Sequence, residues 1–99
     1  MPDDTRPPRD RLSPRHIAIT GASSGLGAAL VRAYAAPGVR LSVHGRDAAR
    51  LDGVAAAARA SGATVDTALF DVTDAGAVAD WLTRADTTLP LDLVIANAG

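Results

Sequence analysis

His16-Ile17-Ala18-Ile19-Thr20-Gly21-Ala22-Ser23-Ser24-Gly25-Leu26-Gly27 is the stretch whose reading decides the fold. Its first half is an apolar run of strand length, and its second half is a glycine loop opening onto Ala28-Ala29-Leu30-Val31, which has helical composition. Glycine at position 21 lets the chain leave the strand through a turn with positive φ, which a Cβ would resist. Gly25 and Gly27 let backbone approach a bound group and let the new helix lie close on the strand. Unsatisfied N–H groups of the first helical turn, around Gly25 to Ala28, point into the loop, where the helix dipole adds partial positive charge. The guest expected there is a pyrophosphate.

Outward from this stretch the same unit repeats. Leu26, Leu30, Ala33 and Tyr34 recur at helical spacing until Pro37-Gly38 stops the helix, and Tyr34 reads as a packing residue of that stripe. Residues 40–44 alternate as a second strand, Gly45-Arg46-Asp47 forms a turn, and Asp47 is placed to cap a helix running to about Ala60. Leu51, Val54, Ala55 and Ala58 share one face of that helix, with Gly62 just past its end. Residues 64–70 make a third strand, with Val65, Thr67 and Leu69 on one side, ending at Asp71-Val72. Thr73 or Asp74 caps a helix striped by Val78, Trp81, Leu82 and Ala85, which residues 87–90 terminate. The nearly continuous apolar run 91–96 suits a parallel strand covered on both faces, and it leads into Asn97-Ala98-Gly99. Right-handed crossovers order these strands 3-2-1-4, so the fold class expected is α/β, a Rossmann-like doubly wound parallel sheet, incomplete at four strands. The fourth strand then lies at an edge, a poor place for so apolar a run.

Three motifs standing at predicted strand ends carry a resemblance. Thr20-Gly21-x-x-x-Gly25-x-Gly27, Asp71-Val72 and Asn97-Ala98-Gly99, in that order, resemble the short-chain dehydrogenase/reductase family over residues 15–99, which implies a nicotinamide-dependent oxidoreductase fold. The resemblance implies that Gly21, Ser23, Ser24, Gly25, Leu26 and Gly27 form the cofactor's phosphate loop. It places Asp71 at the adenine amino group with Val72 packed nearby, gives Asn97 the centre of the sheet to brace, and has Ala98 and Gly99 leave room for the cofactor ribose. An acid at the end of the second strand accepts bonds from the adenosine ribose, whereas a basic residue accommodates a 2′-phosphate. Here that position holds Gly45, followed by Arg46 with its planar fork, so NADP is expected ahead of NAD, with Asp47 as the counter-signal. His44 either assists the phosphate or is a bystander.

Composition bounds the rest. Ninety-nine residues make one small domain. Residues 1–14 hold four of the six prolines and six charges with little to bury, and read as a disordered leader; 15–99 read as the N-terminal part of an NAD(P)-binding Rossmann domain. A net charge of −1 without a basic run argues against nucleic acid or a membrane surface as partner. Without cysteine there are no disulfides or thiolate metal sites, and no apolar run approaches the roughly 20 residues of a spanning helix, so a cytoplasmic protein is the default. The family's chemistry, as the resemblance implies, uses a Tyr-x-x-x-Lys pair and a serine. This chain has no lysine, its one tyrosine is Tyr34, and Ser23 and Ser24 belong to the loop, so no catalytic residue is assigned and the chain is expected to be inactive alone. His16 and His44, the only histidines, support neither a hydrolase triad nor a metal site. The function expected is the N-terminal NAD(P)-binding segment of an enzyme that moves a hydride between NADP(H) and a carbonyl or alcohol substrate. The alternative is a noncatalytic nucleotide-binding module or inactive remnant. A nicotinamide dinucleotide is the partner expected, with a small-molecule substrate only in the complete enzyme and a homo-oligomer left open.

Overall fold

His16–Ile19 forms β1, and all four of its residues are 0 % exposed. A strand this dry must be covered on both faces and paired on both sides, as a central parallel strand is. In the computed structural model, which describes residues 15–71 and 73–97, β1 pairs in parallel with β2 (Arg40–Gly45) on one side and with β4 (Leu93–Ile95) on the other. β3 (Thr64–Leu69) pairs in parallel with the far side of β2, giving the order β3-β2-β1-β4 read from the sequence. The expected leader, residues 1–14, and the motif residues Val72, Ala98 and Gly99 lie outside the described residues.

The helices α1 (Gly25–Tyr34) and α2 (Ala48–Ala60) cover one face of the sheet. There Ile17, Ile19, Leu41, Val43 and Val65 pack with Val31, Leu51, Ala55 and Ala58 in an aliphatic core. Each fully buried branched side chain in it contributes roughly 1.5–3 kcal/mol relative to exposure. The connection from β3 to β4 runs back past β2 and β1, so a right-handed crossover puts α3 (Ala75–Thr88) on the opposite face. Trp81 of α3 is accordingly the buried residue of its helix, its ring centroid 6.1 Å from that of His44 and 5.6 Å from that of Phe70. The caps follow the sequence: Asp47 accepts from the Arg50 amide at 3.1 Å, and Asp74, of the two candidates, accepts from the Ala77 amide at 3.0 Å.

Two expectations are corrected, the stripe of α1 and the covering of β4, and a third is sharpened. Leu26 is 66 % exposed and Ala33 is also exposed; the inward face of α1 is Gly27, Ala28 and Val31, with Leu30 and Tyr34 packed at its margin. The cause is Gly27, where a Cβ would stand 2.0 Å from the Gly21 carbonyl oxygen: that face is pressed on the loop, and Leu26, one residue round the helix, turns outward. Val65, Thr67 and Leu69 share a side of β3, but only Val65 is buried, because β3 is the outer strand and the aliphatic core reaches no further along it. β4 is shorter than the apolar run 91–96, and it is covered on one face: Leu93 and Ile95 pack against the core while Val94 is 46 % exposed.

Candidate functional site

At the end of β1 the chain turns through Gly21 at φ +65, the left-handed region a side chain disfavours, and a Cβ there would lie 2.3 Å from the Asn97 carbonyl oxygen. The carbonyl of Gly21 is the anchor of the loop. It accepts from the Ser24 amide at 3.2 Å, the Ser24 hydroxyl at 2.8 Å and the Asn97 side-chain amide at 3.1 Å. Asn97 also donates to Ser24 Oγ at 3.1 Å, and its own carbonyl accepts from Thr20 Oγ1 at 3.2 Å. Asn97, expected to brace the centre of the sheet, thus acts as a clasp from the end of β4 onto the loop that follows the central strand.

His44 holds the other side of the turn. Its ring Nδ1 accepts from the Gly21 amide at 3.2 Å, and its backbone carbonyl accepts from the Ala22 amide at 2.7 Å. Nε2 lies 2.6 Å from the Phe70 carbonyl, so the proton is on Nε2 and the imidazole is the neutral tautomer. With both nitrogens used and 1 % of its surface exposed, His44 is neither a phosphate ligand nor a bystander.

The amides of Gly21 and Ala22 go to His44, that of Ser24 to Gly21, that of Gly27 to the Ser24 side chain at 3.2 Å, and that of Ala28 to the Ser24 carbonyl at 2.8 Å. Among the described residues the amides of Ser23, Gly25 and Leu26 are left without an acceptor. Of the first-turn donors expected to be unsatisfied, Gly27 and Ala28 are therefore occupied, because Ser24 caps the helix with both its hydroxyl and its carbonyl. A Cβ at Gly25 would meet nothing within 4 Å, so there is open space beside the loop at this position. Three N–H groups without a protein acceptor at a helix N-terminus suit an anionic oxygen cluster.

Beside the loop, Gly45 ends β2 under Ser23: a Cβ at position 45 would be 2.8 Å from Ser23 Oγ. Arg46 is exposed on the turn that follows. Across from it Asp71, also exposed, accepts from the Thr73 amide and the Thr73 hydroxyl, both at 2.9 Å. Those two bonds, with the Arg46 charge adding to them, hold the Asp71 carboxyl below the usual carboxylate range. The described site residues Gly21, Ser23, Ser24, Gly25, Leu26, Gly27, Arg46, Asp71 and Asn97 all stand at the C-terminal ends of the strands, where open α/β sheets bind ligands.

Two features escaped the sequence reading. Asp92 takes the Arg15 and His16 amides on Oδ2 at 2.8 and 3.0 Å, bonds that lower its pKa and fix the start of β1; an acid breaking into an apolar run was the available signal. His16 is 0 % exposed, with Nδ1 2.5 Å from the Leu89 carbonyl and Nε2 2.8 Å from Ser42 Oγ. This serine and histidine have the spacing of a nucleophile and base, but Ser42 is 2 % exposed on a strand paired along both sides, whose amides are taken by the sheet. They form a structural pair. Among the described residues no three histidines or carboxylates come together as a metal site, and no helix is long and apolar enough to cross a membrane.

A family model described as short chain dehydrogenase matches residues 15–99. The gluconate 5-dehydrogenase of Gluconobacter oxydans is 38 % identical over 89 residues, a stretch that is 89 % of this chain and 35 % of that protein. A double mutant of a Serratia marcescens short-chain dehydrogenase/reductase superposes with a TM-score of 0.79 at 30 % identity, over 86 % of this chain and 36 % of its own. A putative dehydrogenase from Burkholderia cenocepacia, solved with bound NADP, does so with a TM-score of 0.74 at 30 % identity, over 86 % and 34 %. The chain thus spans about a third of the length of the relatives it matches. The strand order, the glycine turn that Asn97 clasps and the match along the whole of 15–99 lead to one assignment: the chain belongs to the short-chain dehydrogenase family.

Proposed function

We propose that this chain is the NADP-binding segment of an oxidoreductase acting on a carbonyl or alcohol substrate. The observation that carries the reading is the set of unfilled amides of Ser23, Gly25 and Leu26 at the N-terminus of α1, in a loop held by Asn97 and His44. These amides would take the pyrophosphate, with the α1 dipole adding to them. Asp71, whose carboxylate is kept ionised by Thr73, would accept from the adenine amino group. Val72, Ala98 and Gly99 are assigned to the adenine and ribose by the family resemblance alone. Once bound, the nicotinamide would supply or accept the hydride. The residues of this chain bind and orient it; they hold no acid or base for the substrate, since there is no lysine and Tyr34 packs against the core. Hydride transfer is accordingly proposed for a polypeptide as long as the matched relatives.

NADP is favoured over NAD by what stands at the end of β2. Gly45 stands at the strand end with Ser23 packed where a side chain would begin, so no ribose-binding carboxylate is present there, and Arg46 follows with a charge suited to a 2′-phosphate. The test is a fluorescence titration of the chain with NADPH and NADH. NADPH should bind more tightly, and Arg46→Ala should weaken NADPH by about tenfold to a hundredfold, the worth of charge-assisted hydrogen bonds, while leaving NADH within about twofold. Absence of binding by either dinucleotide would overturn the binding reading, and tighter binding of NADH would overturn the NADP assignment.

A further inference from the structure

The strand between the two halves of the site carries a side chain that touches both. β2 lies between β1 and β3, so a residue of β2 is placed to reach both the glycine turn after β1 and the segment after β3. His44 does so: Nδ1 takes the Gly21 amide at 3.2 Å, and Nε2–H is given to the Phe70 carbonyl at 2.6 Å. Phe70 is the residue before Asp71, and its ring lies against the imidazole with centroids 4.1 Å apart. Trp81 closes the far side of the pair. An apolar side chain would fill this buried place on the strand equally well, yet it would leave the Gly21 amide and the Phe70 carbonyl unpaired.

We propose that His44 is a positioning residue for the dinucleotide, fixing the distance between the pyrophosphate amides at the glycine turn and the adenine side of the site at Asp71. The proposal rests on the cofactor reading above. His44 does not touch the cofactor; it sets how the Gly21 peptide is turned, and through it where the amides of Ser23, Gly25 and Leu26 point. It also sets where Phe70, and with it Asp71, is held. A ligand that spans both ends depends on this spacing, and a ligand that occupies one end does not.

The amide group of glutamine stands where Nε2 of histidine stands, and that of asparagine where Nδ1 stands. His44→Gln keeps the bond to Phe70 and loses the one to Gly21; His44→Asn does the reverse. The 99-residue chain and both variants are titrated with NADPH, which spans the site, and with adenosine 2′-monophosphate, which has no 5′-phosphate and fills the adenosine end alone. His44→Gln should weaken NADPH by about tenfold, the worth of one good hydrogen bond, and leave adenosine 2′-monophosphate within about twofold. His44→Asn, which releases the Phe70 end instead, should weaken NADPH by a similar factor and likewise leave the one-ended ligand within about twofold. Nitrogen NMR of the unliganded chain should find the His44 proton on Nε2. Equal NADPH binding by wild type and His44→Gln would overturn the proposal, as would parallel loss of both ligands, the pattern of a merely structural residue, or a proton on Nδ1. A wild-type chain that binds neither ligand would overturn the cofactor reading itself, an outcome distinct from all of these.

Discussion

The two faces of the sheet are held in different ways. Under α1 and α2 lie Ile17, Ile19, Leu41 and Val43, all 0 % exposed and all aliphatic. Under α3 the same strands present His16, Ser42 and His44, equally buried, each polar atom matched to a partner. Burial of aliphatic surface is non-directional and scales with area, so the first face supplies stability and tolerates changes of shape. Hydrogen bonds at 2.5–3.2 Å are directional, so the second face supplies less net stability and fixes where backbone groups stand. One side of the sheet decides whether the chain folds, and the other decides how its loops are set.

This contrast is broken first at its strong side. Ile17→Ala on β1 should cost about 2–5 kcal/mol, read as a fall in the urea midpoint, and a loss below 1 kcal/mol would mean the aliphatic face does not carry the fold. Ser42→Ala on β2 should cost less, about 1–3 kcal/mol, because it leaves His16 Nε2 buried without its partner. A neutral result would mean water has taken the hydroxyl's place and that the polar face is looser than the structure has it. The smallest effect belongs to the rim. Asp71 and Asp92 are both held below the ordinary carboxylate range by the hydrogen bonds they accept, so each adds stability that is present above about pH 4 and lost as the pH falls through its folded pKa. Asp92→Asn should flatten that part of the acid denaturation curve, and an unchanged curve would show that the Arg15 and His16 amides do not depend on the carboxylate's charge.

The same contrast separates what was legible in the sequence from what was not. Among the described residues the four strands, three helices and the order β3-β2-β1-β4 were legible, because apolar runs, glycine turns and caps such as Asp47 are local signals and the crossover hand is nearly fixed. The glycine loop was legible as a loop. What stayed hidden were the partners that shape it: His44 bonds Gly21 across 23 positions and Asn97 bonds Gly21 across 76, and nothing in either neighbourhood says which carbonyl or amide the side chain will meet. The outward turn of Leu26 was hidden for a related reason. Helical spacing gives the period of a stripe, but its phase was set by the contact of Gly27 with the Gly21 peptide.

The clasp from Asn97 has a consequence for the order of events in folding. The glycine turn and its helix lie early in the chain, yet the Gly21 carbonyl receives one of its three bonds from a residue reached only after β4 has been made. Closing so long a loop is slow compared with winding α1. During synthesis the turn therefore emerges long before it is shaped, and it acquires its final geometry only when the fourth strand docks beside the first. On the proposed function, full affinity for the dinucleotide then waits for an assembled sheet, because until β4 docks the turn lacks the bond that Asn97 gives it.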